Sequence, residues 1–239
     1  MQILDSGAKR LGLHLTSGQL EQFEIYYREL VDWNRKINLT SIIGYEDVQA
    51  KHFLDSLTVA LALGEAGDGA GRRLIDVGTG AGLPGLPLKI IMPALRLTLL
   101  EATAKKAKFL EHIIAVLGLG GVEVVVGRAE ELARDARYRE RFDFVLARAV
   151  AEMPALVELT LPFGAVGGSL IAQKKGDIVA ELDSARKAIT VLGGRLRGVK
   201  EISLPELAEK RLLVMVDKVA PTPARYPRRP GIPEKRPLS

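Results

Sequence analysis

The chain has 239 residues, 47% of them hydrophobic, with a formal net charge of +5 and no cysteine. That length suits one α/β domain with a small appendage, and the missing thiols exclude disulfides, thiolate metal sites and cysteine nucleophiles. His14, His52 and His112, the three histidines, stand too far apart to pair, so no metal site is expected.

The N-terminus carries Asp5 and lacks a long apolar stretch, which argues against a signal peptide. Thr16 or Ser17 caps a predicted helix running to about Lys36, with Leu20, Phe23, Tyr27, Leu30, Val31 and Asn34 at helical spacing and its aromatics in the core. A polar loop over 38–45 leads to a second predicted helix, 46–63, whose stripe is Val48, Leu54, Leu57 and Leu61. His52 and Asp55 stand three apart on that helix and can meet on one face. Residues 64–71 hold four glycines and read as a flexible join, so 1–71 is expected to form a helical cap.

From Arg72 onward strands and helices alternate. Strands are predicted at 72–77, 95–101, 122–126, 142–147 and 169–174, followed by an antiparallel pair at 196–203 and 211–219. Helices are predicted at 83–92, 105–117, 154–161 and 177–192, with a short helix or loop over 128–137. The expected class is α/β: a Rossmann-like domain over 72–220 with a mostly parallel seven-stranded sheet ending in an antiparallel hairpin. The longest apolar run, 161–172, is too short to span a bilayer, and a soluble cytoplasmic protein is expected. Residues 221–239 hold six of the twelve prolines, and 218–239 carry six basic residues against one acidic. This tail is expected to be extended or disordered in isolation, and its concentrated charge points to a polyanionic partner.

The run from Leu74 to Gly82 carries the chemistry. A strand ends in Asp76, three glycines alternate at Gly78, Gly80 and Gly82, and a helix follows, which is how a parallel strand hands over to a helix around a nucleotide-like ligand. Glu101, 21 residues beyond Gly80, closes the second strand where a carboxylate can accept hydrogen bonds from both ribose hydroxyls. A dinucleotide fingerprint wants Gly or Ala where Leu83 stands, and a second mononucleotide half is missing. Asp76 suits the positive ammonium and sulfonium of S-adenosylmethionine, which has no pyrophosphate. A methyl donor is the favoured ligand, with a nicotinamide dinucleotide and hydride transfer as the alternative. Without cysteine, methylation at C5 of a pyrimidine is excluded. Ala147-Arg148-Ala149-Val150 stands where an adenine amino-methylating enzyme carries a Pro-Pro loop. Guanine N7 has a free lone pair and needs no base, only alignment, and Arg148 at the end of strand four lies where it could meet the O6/N7 edge.

Asn38-Leu39-Thr40, the run from His52 to Leu57, the run from Asp76 to Gly85, Lys105-Lys106 with Phe109-Leu110, Arg128-Ala129-Glu130 and Arg148-Ala149 together resemble the bacterial 16S ribosomal RNA (guanine-N7) methyltransferase G family, also called glucose-inhibited division protein B. The ending from Tyr226 to Pro233 is similar to that family's C-terminal signature. The resemblance implies methyl transfer from S-adenosylmethionine to N7 of one guanine in 16S ribosomal RNA of the small subunit, near the decoding centre. It implies cofactor contacts at Gly78, Leu83, Glu101, Ala102, Thr103, Ala129, Glu130 and Arg148, to which the loop reading adds Gly80 and Gly82. Glu101 stands where Asp is common, Leu83 replaces a frequent Phe, Lys51 a frequent Arg and Ala147 a frequent Ser. RNA contacts are expected from His52, Asp55, Arg128, the Lys174-Lys175 pair, Arg225, Arg228 and Arg229, with Tyr226 placed to stack on a base. No long apolar surface segment is left over, so a monomer is expected. A non-catalytic RNA-binding protein on the same fold is the third reading.

Overall fold

In the computed structural model, which describes residues 1–63 and 71–238, the sheet is built from seven strands. They are β1 (Arg73–Val77), β2 (Arg96–Glu101), β3 (Val122–Val126), β4 (Phe142–Arg148), β5 (Gly164–Lys175), β6 (Gly194–Ile202) and β7 (Arg211–Lys218). Their order is β3-β2-β1-β4-β5-β7-β6. β1 to β5 pair in parallel, and β7 inserts antiparallel between β5 and β6. The short link between β6 and β7 permits only a hairpin, whereas each parallel pair needs a crossover. Chain order reverses between β1 and β4, so their carboxyl ends flank the crevice where α/β sheets take ligands.

Among the described residues, α1 (Gln2–Arg10), α2 (Ser17–Asn34) and α3 (Tyr45–Val48) precede the sheet. α3 continues through a π-helical turn (Gln49–Leu54), α4 (Asp55–Leu57) and a 3₁₀ turn (Thr58–Ala62). Around the sheet lie α5 (Gly85–Ile91), α6 (Ala104–Val116), α7 (Ala129–Leu132), α8 (Met153–Thr160), α9 (Val179–Val191) and, in the tail, α10 (Ile232–Lys235). Thr16 caps α2 through a reciprocal pair with Gln19, as its position suggested: Gln19 N–H donates to Oγ1 at 3.2 Å and Thr16 N–H to Gln19 Oε1 at 2.9 Å.

Phe23, Tyr26 and Leu30 of α2 and Phe53 of the π turn are fully buried, in one cluster with Leu74, Leu86, Leu99 and Phe109. The helices before the sheet therefore share a core with it. A second cluster on the other face gathers Val145, Leu156, Phe163, Ile189 and Val216.

Several expectations need correction. α1 was not predicted: it buries only Leu4, Gly7 and Ala8 and carries no apolar stripe long enough to register. The segment over 46–63 is helical but is not one regular α-helix, being interrupted by the π turn. Tyr26, not Tyr27, carries the α2 core position; both lie three or four residues from Phe23 and Leu30, so spacing alone fits either. The tail is not simply extended, because it ends in α10 and is tied back to the body. The join expected at 64–71 lies, apart from Gly71, outside the described residues.

Candidate cofactor and acceptor site

The glycine loop is held from three sides. Asp76, fully buried at the end of β1, accepts from Thr79 Oγ1 at 2.6 Å and from Gly85 N–H at 2.9 Å through one carboxylate oxygen. Its other oxygen, Oδ1, is buried without a hydrogen-bond partner. Burial pushes the Asp76 pKa up to about 6, and the hydrogen bonds only partly offset this. From below, the hydroxyl of Tyr26 donates to the Ala81 carbonyl. A Cβ at Gly82 would stand 2.8 Å from that hydroxyl and 2.4 Å from Leu86, at a φ of +88°. From the side, Glu101 at the end of β2 accepts from Gly80 N–H at 3.0 Å and from Thr103 N–H at 2.8 Å. A carboxylate already oriented by backbone donors beside a glycine loop fits a ribose diol.

Beyond the loop a cavity of about 100 Å³ is lined by Gly78, Ala102, Arg128, Ala129, Glu130 and Val150, among others. Gly78 takes a φ of +70°, and a Cβ there would meet Val150 at 2.9 Å, so a side chain would close the space between β1 and the segment after β4. Glycine loop, oriented carboxylate, orphaned buried oxygen and adjoining cavity together fit the adenosyl group and ammonium of S-adenosylmethionine.

At the end of β4 a second constellation forms. Arg148 donates to Asp55 Oδ2 at 3.0 Å, and Arg211 of β7 donates to Asp55 Oδ1 at 2.7 Å. Asp55 is buried, and both guanidiniums are at most 16% exposed, so each charge needs its partner. Gln173, opposite Arg148 in register, donates to the Asp55 carbonyl at 2.7 Å and to Thr58 Oγ1 at 3.2 Å. Its own carbonyl oxygen is buried and unpartnered. His52 meets Thr40 Oγ1 at 2.8 Å. Burial first, and then the Arg148 charge, depress the His52 pKa to about 4, so its ring is neutral at physiological pH. Asn34 at the end of α2 accepts from Leu39 and Thr40 N–H at 2.8 and 2.9 Å, which sets the loop carrying Thr40. After β4 the chain turns through Ala149, a non-glycine residue at a φ of +55°, the kind of strained conformation that clusters at functional sites.

The structure thus gathers Gly78, Gly80, Gly82, Glu101, Ala102, Thr103, Ala129 and Glu130 around the loop, and His52, Asp55 and Arg148 at the end of β4. Other residues lie differently. Leu83 is buried in the helical-cap core cluster, so its side chain packs there. Arg128 lies 3.8 Å from Glu130, and Lys175 lies exposed 3.6 Å from Glu209. Lys174 turns to Glu181 and the Ala151 carbonyl. Arg228, expected to contact RNA, forms a bidentate pair with the fully buried Glu158 at 2.6–3.1 Å, a carboxylate that cannot stay buried uncompensated. Arg225 stacks over Tyr226, whose ring is buried and so not free to stack on a base, while Arg229 stays exposed. Tyr26, Gln173 and Arg211 escaped the sequence reading, and Thr40 entered it only within a family motif, with no role at the site. Their partners lie 12 to 156 residues away, and no local pattern marks such pairs.

Comparison with known proteins shows the family and the fold. The family model described as rRNA small subunit methyltransferase G matches residues 19–213. The chain is 55% identical over 238 residues to Ribosomal RNA small subunit methyltransferase G of Dehalococcoides mccartyi (strain CBDB1), covering all of both chains. It is 51% identical over 227 residues to the protein of that name from Roseiflexus castenholzii, 95% of each chain. Among solved structures it is similar to MtNAS in complex with MTA and tNA, at 19% identity and a TM-score of 0.56, covering 85% of this chain and 70% of that one. A sarcosine dimethylglycine methyltransferase from Galdieria sulphuraria, described as such putatively in its structure, aligns with a TM-score of 0.52 at 11% identity over 69% of this chain and 85% of that one. These two likenesses concern the fold.

Proposed function

We propose that this chain, which belongs to the ribosomal RNA small subunit methyltransferase G family, holds its cofactor against the Asp76–Gly82 loop and receives a guanine of 16S ribosomal RNA at the end of β4. The methyl donor is S-adenosylmethionine, which supplies an electrophilic methyl group on a sulfonium. The reaction is methyl transfer to guanine N7, whose free lone pair needs no deprotonation, so the chain's task is alignment.

Asp76 and Glu101 supply negative charge where ammonium and ribose would lie, and the backbone at Ala129 and Glu130 lines the adenine end. Arg148 presents an N–H donor toward guanine O6, which leaves the N7 lone pair free to attack the methyl group. Asp55 fixes the direction of that guanidinium and lowers the net positive field beside a ring that becomes cationic. Neutral His52 adds no further charge there. The observation that carries this reading is the convergence of loop, Glu101 and Arg148 on the crevice between β1 and β4.

On the partner side the reading is a monomer acting on the RNA within the small subunit. Its support is the basic charge and the scattering of exposed apolar side chains such as Ile43, Val126, Val166 and Val179 over separate elements. No helix among the described residues is long and apolar enough to cross a membrane. The test supplies labelled S-adenosylmethionine to small subunits and to free 16S RNA from a strain lacking this gene, then identifies the product base. Label in 7-methylguanine, greater on the subunit, is the expected result. Label on any other atom overturns the acceptor assignment, and greater label on free RNA overturns the partner assignment.

A further inference from the structure

The cavity beside Gly78 has one wall that comes from neither the sheet nor the glycine loop. Glu234 of α10 and Leu159 of α8 line it together with Ala102 and Ala129. The strap that carries Glu234 is held by side chains rather than by a strand ladder. Arg139 donates to the carbonyls of Thr222 and Tyr226 at 2.7 and 2.9 Å, and Arg134 donates to those of Arg225 and Pro227. Glu158 then takes Arg228, and Glu130 accepts from Gly231 N–H at 2.8 Å just before α10. Glu130 therefore faces two ways: its residue lines the cavity, and its carboxylate holds the strap.

The cavity, at about 100 Å³, is far smaller than the roughly 300–1,000 Å³ of small-molecule sites. An adenosyl group needs it wider. The sheet side is fixed by the parallel ladder and the α8 side by core packing, whereas α10 is a single four-residue turn that buries only Pro233 and leaves Glu234 exposed. On the cofactor placement given above, we propose that residues 230–236 are a movable wall of the adenosine pocket. They swing out to admit S-adenosylmethionine and close over it, with Glu234 at the adenosine edge and the Glu130–Gly231 contact as the catch. The strap thus sets how long the cofactor stays.

Hydrogen exchange on the full chain with and without S-adenosylhomocysteine, alongside calorimetry and stopped-flow dissociation, tests this. The expected result is slowed exchange both at 78–82 and at 230–236. Truncation after Arg229 keeps the Arg228–Glu158 anchor and removes α10; it should speed ligand release about tenfold or more, because the closed wall that retains the ligand is gone and such losses appear chiefly in the off-rate. Glu234→Ala should weaken binding severalfold while the ligand-free melting temperature holds, and it keeps the idea testable should the truncated chain fold poorly. Protection at 78–82 without protection at 230–236, or unchanged release from both variants, overturns the strap. No protection at 78–82 instead overturns the cofactor placement itself.

Discussion

Burial keeps the Tyr26 hydroxyl protonated, well above its ordinary pKa, so it is a permanent donor to the Ala81 carbonyl. Tyr26→Phe leaves that carbonyl without its donor inside the core, which should cost about 1–3 kcal/mol. It should also weaken cofactor binding severalfold; thermal melts and calorimetry read both, and unchanged values would show that the hydroxyl is incidental. Two buried groups give pH effects of opposite sign. Asp76 has its pKa raised to about 6 from an ordinary 3.8, so its contribution to stability is complete below 3.8 and is lost as pH rises through 6. His52 is depressed from 6.5 to about 4, so its contribution is present above 6.5 and is lost as pH falls through 4. Each is on the order of 3 kcal/mol, and the two largely cancel between pH 4 and 6. Urea unfolding across that window should be nearly flat for the native chain. Asp76→Asn should expose a fall in stability toward acid, and His52→Gln a gain. The glycines, Asp76, Glu101 and Arg148 were legible at this scale because each sits in a local pattern beside a strand end. Tyr26 was passed over for its neighbour Tyr27, since both fit the helical spacing and its hydroxyl's partner lies 55 residues away.

Strand and helix identities followed from hydrophobic period and glycine punctuation, and the parallel order with its closing hairpin followed from their alternation. What period could not convey was irregular winding. Nothing in Gln49–Leu54 distinguishes a π turn from an α turn, yet this is the turn that delivers His52 and then Asp55 toward Arg148. The glycine loop shows the same limit, because Gly82 looked like a ligand-contact glycine while its surroundings are Tyr26 and Leu86. Gly82→Ala should therefore destabilise the ligand-free protein by about 2–4 kcal/mol through strained φ and overpacking. A melt without cofactor separates this from a pure binding defect, which would leave the apo protein unchanged.

For the whole molecule, composition gave a basic chain with its charge gathered toward the end, but it could not say which cations were already spoken for. Glu158 takes Arg228, and backbone carbonyls take Arg134 and Arg139. Arg225 and Arg229 keep exposed guanidiniums, so the pair Arg225→Ala and Arg229→Ala should lower the salt dependence of RNA binding. The expected drop is about 0.7–0.9 in log–log slope for each phosphate that an arginine of the pair neutralises. Filter binding from 50 to 300 mM salt, on the order of the range where counterion release is read, measures it; an unchanged slope would place the RNA on another face. Arg228→Ala should instead act on stability.

Asp55 joins a strand 93 residues later to another 156 residues later. During synthesis the loop, β1 and β4 emerge before β7, so the Asp55–Arg211 pair can form only after Asp55 and Arg148 are already present. Closing so long a connection is entropically slow. A nascent chain accordingly completes its acceptor site only with β7 and the last wall of its adenosine pocket only with α10, so competence to modify RNA should be among the last properties the chain acquires as it leaves the ribosome.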